Sequence, residues 1–276
     1  MTIELLYTGI LQGLILAIIA FGIMIPFRFL DFPDLTAEGA YPLGGAVCAC
    51  LMVAGIPKIL AIMGAIIAGG LLAVGTSQVA LRLKVNSLLA GIILSTMAYS
   101  VNLRIMGKPN IALFEMGGIN LDLISLIMVV ILCIIPFALF LHTDFGLRFR
   151  TIGSNAKFAI KHGISVHKYT SLGLFIAGSM FGLAGSLIVQ MQQFMDVGMG
   201  VGIVIHGLAS LMIGESIVSN RTISKQLAAP IIGALIYQQI QGIALSFGLA
   251  PSDLKFFTGS IVLIVLAIQK GGKDVS

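Results

Sequence analysis

Charge is what this sequence has least of. Only 10% of its residues are Asp, Glu, Lys or Arg, and its mean hydropathy is +1.08; an ordinary soluble domain carries about 25% charge. So little charge cannot cover a water-facing surface, which excludes a soluble globular fold and leaves a polytopic membrane protein. Cysteine is scarce as well. Cys48, Cys50 and Cys133 all sit in apolar runs, and the Cys48-x-Cys50 pair has no further Cys or His close in sequence. No metal site is expected from that set, and the three read as small packing residues. There is no G-x-x-x-x-G-K-[ST] string, so the chain is not expected to bind ATP itself. Nor is there an H-E-x-x-H, a nucleophile elbow or a supported acid pair; no catalytic residue is assigned and the chain reads as a non-enzyme. The net charge of +5 comes without a basic tail. It fits basic loops on the inner side better than a nucleic-acid partner. The N-terminus lacks a basic leader and a cleavage site, so the first apolar run reads as a retained span.

What the sequence does have is hydrocarbon, at 58% hydrophobic residues, and 33 glycines. Its 276 residues allow about nine spans of roughly 20 residues. The apolar runs are Leu5–Phe27, Leu35–Ala54, Ile59–Leu81, Leu88–Ile105, Leu121–Leu141, Thr170–Val189, Ile203–Ile217, Leu227–Phe247 and Leu254–Gln269. The fold class is therefore all-α, with the whole chain, 1–276, as one transmembrane domain. In the second run, Asp34 or Thr36 is the expected N-cap and Glu38 falls in the first turn, where the helix dipole favours a carboxylate. If only Pro42–Ala54 is helical, that piece is re-entrant and the count is eight. Glycines in the third and sixth runs predict close helix packing.

Basic residues orient the chain. Arg82, Lys84, Arg221, Lys225, Lys270 and Lys273 share a side with the loop from Thr143 to Lys168. That side is inside, which places the C-terminus inside and the N-terminus outside.

The Thr143–Lys168 loop is the longest polar interruption, carrying Arg148, Arg150, Lys157, Lys161 and Lys168 against Asp144. Within it, Asn155 to Gly163 reads as a short helix: Asn155 caps it, Phe158 and Ile160 give apolar anchors, and Gly163 stops it. Two readings stand. It is an inert basic loop that fixes topology, or a docking helix that enters a partner's cleft, with Arg148, Arg150 and Lys157 as a polar rim.

The same loop carries a resemblance. Thr143, Gly146, Leu147, Arg150, Gly153, Asn155, Ala159, Gly163 and Ile164 fit the pattern T-x-x-G-L-x-x-R-x-x-G-x-N-x-x-x-A-x-x-x-G-I. That pattern resembles the main cytoplasmic loop of permease subunits of ABC-type importers of the branched-chain amino acid and ribose class. Asp34-Leu35-Thr36 is similar to the family's D-L-S string, with Gly39 displaced. Asn102 to Asn110 resembles a subgroup labelled tryptophan/tyrosine or uncharacterised transport permeases. The resemblance implies that residues 143–168 are a coupling loop, with ATPase contact at Gly146, Leu147, Arg148, Arg150, Asn155, Lys157, Phe158, Ala159, Ile160, Gly163 and Ile164. It implies a bacterial inner-membrane location, a second permease copy or close relative, two separate ATPase subunits that bind ATP and Mg, and an extracytoplasmic solute-binding protein. The outer loop Gly107–Asn120, with Lys108, Asn110 and Glu115, is the expected contact for the binding protein.

Polar residues at membrane depth need partners or water. Gln190, Gln193, Asp196, His206, Gln238 and Gln241 are candidates for a solute path, because glycine-broken backbone at that depth lines cavities; Asp34 and Glu38, at the start of the second run, are further candidates. For any one of them, interhelical hydrogen bonding is the plainer role. Glu215 and Arg221 read as an ion pair at the interface. A rival assignment is a secondary transporter or channel coupled to an ion gradient, with Asp196 or Glu38 as its ion-binding acid.

Overall fold

The computed structural model describes residues 2–114, 122–218 and 222–246, together with Asp253, Phe256, Gly259, Ser260 and Leu263. The described chain is mostly helical. Helix α1 (Thr2–Met24) runs into a π-helical turn, Ile25–Phe29, at Pro26. There follow α2 (Ala37–Val53), α3 (Lys58–Arg82), α4 (Ser87–Met106), β1 (Asn110–Ala112), α5 (Leu123–Leu141), α6 (Asp144–Ser154), α7 (Ala156–Lys161), α8 (Val166–Gln192), β2 (Phe194–Asp196), α9 (Ile203–Ile217) and α10 (Ile223–Ser246).

Six described stretches are long and apolar enough to cross a bilayer: Glu4–Phe29, Lys58–Arg82, Ser87–Met106, Leu123–Leu141, Val166–Gln192 and Ile223–Ser246. Ala37–Val53 and Ile203–Ile217 are shorter apolar helices. All eight coincide with runs read from the sequence. The ninth run, Leu254–Gln269, lies almost wholly outside the described residues. Helix α2 begins at Ala37, ahead of Pro42, so Glu38 does sit in its first turn.

The chain divides into two compact units. The larger comprises residues 22–121 and 135–203, and is built on α2, α3 and α8. Small residues let these backbones touch. A Cβ on Gly69 would lie 2.3 Å from the Gly178 carbonyl oxygen, and one on Gly182 would lie 2.2 Å from that of Ala65. No other residue fits at such crossings, and close packing of this kind is what holds helices together where lipid removes the hydrophobic drive. Twelve of the 17 residues of α2 are buried, so this short helix is enclosed by protein rather than lipid.

The smaller unit comprises residues 1–21, 122–134 and 204–276. Within it α9 meets α10 through Gly214 and Gly233, where a Cβ would lie 1.8 Å from the carbonyl oxygens of Ala229 and Ser210 respectively.

Candidate functional site

The polar passage after α8 is held in place by a small clip. Strands β1 and β2 pair antiparallel, with Asn110 opposite Asp196, Ile111 opposite Met195 and Ala112 opposite Phe194. Val197 N–H donates to the Pro109 carbonyl at 3.1 Å, and Leu113 N–H to that of Gln193 at 2.8 Å. With its amide turned to donate, Asn110 reaches Asp196 Oδ2 at 2.6 Å, while Asp196 Oδ1 accepts from Gly198 N–H at 2.6 Å. Asp196 therefore spends both oxygens on the clip. Gln193, left-handed at φ +59°, donates its side-chain amide to the Gln190 carbonyl and ends α8.

The clip brings residues 197–201 against α2 and α4, and together they border a half-open vestibule of about 310 Å³. Its lining is Glu38, Pro42, Ser95, Thr96, Tyr99 and Val197, with Gly200 and Val201. Glu38 Oε1 accepts from Gly202 N–H at 3.2 Å. Pro42 has no N–H to offer the Glu38 carbonyl one helical turn back. That carbonyl instead abuts Gly200, so closely that a Cβ there would lie 2.1 Å from it. Glu38, Ser95, Thr96 and Tyr99 thus border an otherwise apolar cleft, the usual composition of a small-molecule site, with the Ser95 and Thr96 hydroxyls donating back to the Ile92 carbonyl at 2.9 and 2.8 Å. Ser95, Thr96 and Tyr99 were not singled out from sequence. Their spacing puts them on one face of α4, a signal masked by the apolar residues around them.

Asp34 lies elsewhere. Its Oδ1 accepts from the Thr36 N–H at 2.9 Å and from the Thr36 hydroxyl, and the Thr36 and Thr76 hydroxyls meet at 2.7 Å. A Cβ on Gly91 would fall 2.8 Å from the same oxygen. This is an enclosed tie at the start of α2, and burial raises the Asp34 carboxyl to about 6 despite the Thr36 hydrogen bonds. Gln190 is also enclosed, donating to the Ser186 carbonyl at 3.2 Å and to Cys48 Sγ at 3.6 Å.

In the smaller unit His206, Tyr237 and Gln241 form one network. Tyr237 Oη lies 2.7 Å from His206 Nδ1, and Gln241 Nε2 reaches the same nitrogen at 3.3 Å and Tyr237 Oη at 2.7 Å. The three polar atoms close a triangle in which Gln241 Nε2 donates to Tyr237 Oη. Gln238 Nε2 donates to Gln12 Oε1 at 2.6 Å. His206, Gln238 and Gln241 thus each hold a polar partner across a helix pair.

The Thr143–Lys168 segment holds two helices rather than one. Thr143 caps α6, its Oγ1 accepting from Gly146 N–H at 3.3 Å. Phe149 of α6 is fully buried in a cluster with Phe29, Phe137 and Phe140, at centroid distances of 6.4, 6.4 and 5.7 Å. Gly146 and Gly153 press α6 onto its neighbours, a Cβ at either being 2.3 Å from a carbonyl oxygen, of Phe140 and Phe29 respectively. Arg150 turns inward and donates to the Leu141 carbonyl at 3.4 Å, closing the end of α5. Helix α6 was missed because the large apolar side chains of its inward face are only Phe149 and Ile152, set among glycines and basic residues.

Helix α7 is the sequence-derived short helix. Asn155 Oδ1 accepts from Phe158 N–H at 2.9 Å. At the other end Gly163 N–H donates to the Ile160 carbonyl at 3.0 Å and Ile164 N–H to that of Ala159 at 3.0 Å, with Gly163 left-handed at φ +74°. That is a Schellman stop. Ala159 faces inward and is buried, whereas Phe158 and Ile160 are exposed at 49% and 63%. Phe145 and Leu147 of α6 are exposed beside the charged Arg148. The result is a platform of two capped helices with apolar side chains turned outward. Lys108, in the turn after α4, and Asn110, at the start of β1, are exposed; Glu115 lies outside the described residues.

Comparison with known proteins agrees with this architecture. The family described as branched-chain amino acid transport system, permease component, matches residues 5–267. A tyrosine transport system permease protein of Clostridioides difficile (strain R20291) is 37% identical over 261 residues, covering 93% of this chain and 88% of the relative. The uncharacterized protein RP368 of Rickettsia prowazekii (strain Madrid E) is 34% identical over 277 residues, covering 97% and 98%. No solved structure matches the chain. A family match over nearly the whole length, on a bundle of membrane-length helices, makes this a multi-pass transport permease: the chain belongs to the branched-chain amino acid transport system permease family.

Proposed function

We propose that the whole chain, 1–276, is one transmembrane permease domain of an ATP-binding-cassette importer for an amino acid or similar small solute. It pairs with a second permease copy, identical or closely related, in a bacterial inner membrane. Nine spans, with the N-terminus outside and the C-terminus inside, follow from the eight apolar helices plus Leu254–Gln269. The chain binds no cofactor; ATP and Mg belong to two separate ATPase subunits. A solute-binding protein delivers the solute on the outer side, at the loop carrying Lys108, Asn110 and Glu115.

The observation that carries this reading is the α6–α7 platform. A loop that merely joins two spans has no need of two capped helices, an aromatic anchor at Phe149, and apolar side chains at Phe158 and Ile160 directed away from the packed core. Such a platform suits a partner's cleft, with Phe158 and Ile160 inserted and Arg148 and Lys157 at the rim. Movement of the ATPases would be passed through α6 to the ends of α5 and α8, biasing two packings of the bundle that differ by a few kcal/mol.

The Glu38 vestibule is the part of the solute path proposed here, with Ser95, Thr96 and Tyr99. A carboxylate beside a phenol suits the ammonium group and side chain of an amino acid, and the tyrosine permease relative supports an aromatic one. Gln190, Gln193 and Asp196 serve this path indirectly by shaping the passage. Asp34 supports α2, and His206, Gln238 and Gln241 hold α9, α10 and α1. The test is co-purification: the chain, expressed with its ATPase, should retain it, and Phe158→Asp should lose it without loss of membrane insertion.

A further inference from the structure

A second concavity lies away from the vestibule, where the end of α3 meets the start of α8. Its volume is about 740 Å³. The two helices run antiparallel here, since Gly69 meets Gly178 and Ser77 Oγ meets Ser171 Oγ at 2.8 Å. The last turn of α3 and the first turn of α8 therefore reach the same membrane surface.

The groove is chemically divided along its length. At the surface end it is lined by Arg82, His167 and Lys168. At the deep end it is lined by Val74, Leu172 and Phe175. Between them Gln78 Nε2 donates to Ser171 Oγ at 3.1 Å, a polar border. Val74, Gln78 and Arg82 recur every four residues on α3, and Lys168, Leu172 and Phe175 follow helical spacing on α8, so each series occupies one face. From Arg82 to Val74 the helix rises about 12 Å. No acidic residue is among the described residues that line the groove. Ser165 makes no side-chain cap, so the first-turn amides of α8 add the positive end of a long helix dipole.

Cationic groups at the membrane surface, continued by an apolar trough parallel to the helices, complement an amphiphile with an anionic head. We propose that this groove binds an anionic phospholipid, its phosphate held by Arg82, Lys168 and His167 and one acyl chain lying along Val74, Leu172 and Phe175. Basic pockets between transmembrane helices recognise lipid headgroups in this manner. A zwitterionic lipid brings its own cation into the basic cluster and is disfavoured. The site depends only on the helices crossing the bilayer; it holds whichever side faces the cytoplasm and whether or not an ATPase binds.

The absence of tryptophan from the sequence gives a direct probe. Phe175→Trp in the full chain introduces a single indole at the trough. In mixed micelles, phosphatidylglycerol with brominated acyl chains should quench it with at least fivefold higher apparent affinity than brominated phosphatidylcholine. Arg82→Gln with Lys168→Gln should erase that preference, and Lys84→Gln with Lys161→Gln should leave it. Equal quenching by the two lipids overturns the proposal, as does a preference that survives the Arg82/Lys168 change. Displacement by inorganic phosphate as effective as by phosphatidylglycerol overturns it in favour of a soluble-anion site. No lipid preference, with ATPase association lost on changing Arg82 and Lys168, overturns it in favour of a protein contact. If the double variant does not fold, the lipid preference of the Phe175→Trp chain alone decides.

Discussion

The Glu38 carboxylate and the Gly202 amide meet at 3.2 Å although 164 residues separate them. The contact ties the first turn of α2 to the glycine-broken passage that closes the vestibule, so Glu38 both shapes the cleft and charges it. Glu38→Gln retains an oxygen for the Gly202 N–H and removes the charge. Solute uptake by the reconstituted importer should fall about tenfold, equivalent to about 1.4 kcal/mol, with thermal stability unchanged. Unaltered uptake would remove Glu38 from the path.

Phe158 and Ile160 are exposed on α7 while Ala159 between them is buried. Phe158→Asp or Ile160→Asp should leave insertion intact and weaken ATPase association by at least about 2 kcal/mol, the scale of an interface anchor. Pull-down with the ATPase reads this. Ala159→Asp should instead damage the platform itself, seen as lower yield and earlier protease cleavage after Lys157 or Lys161.

Gly182 and Gly75 separate close packing from mere composition. A Cβ at Gly182 lies 2.2 Å from the Ala65 carbonyl oxygen, and one at Gly75 lies 3.4 Å from the Leu94 side chain. Gly182→Ala should cost about 3 kcal/mol or more and depress the detergent melting temperature. Gly75→Ala should be neutral or slightly stabilising, since alanine favours the helix by up to about 1 kcal/mol.

Asp34 sets a pH dependence of known sign. Burial raises its carboxyl from 3.8 to about 6, outweighing the Thr36 hydrogen bonds. Across that window the folded chain binds more protons than the unfolded one. Its contribution to stability therefore declines as pH rises from about 4 to about 6 and is level above that. Asp34→Asn should flatten this part of a melting-temperature profile; a profile indistinguishable from that of the unaltered chain would contradict the assignment.

The spans were legible because bilayer thickness imposes long apolar runs, and all eight described apolar helices coincide with such runs. Helix α7 was legible because Asn155 and Gly163 are local signals acting within a few residues. What was not legible depends on contacts distant in sequence. Nothing near Asp196 reveals that its Oδ2 is taken by Asn110 on the opposite strand. Nothing near Arg150 reveals that it turns back to Leu141. Ser95, Thr96 and Tyr99 matter only because the β1–β2 clip brings residues 197–201 across from them. Most of the polar residues marked from sequence are tied to other protein groups, and among them Glu38 opens on a cleft.

In the proposed function, movement of solute through this chain is driven by a partner ATPase gripping α7. The decisive measurement is solute uptake into proteoliposomes containing the chain with or without its ATPase, ATP and binding protein. Uptake is expected only with the complete set, and Phe158→Asp should abolish it. Uptake by the chain alone, driven by a proton or sodium gradient, would contradict it.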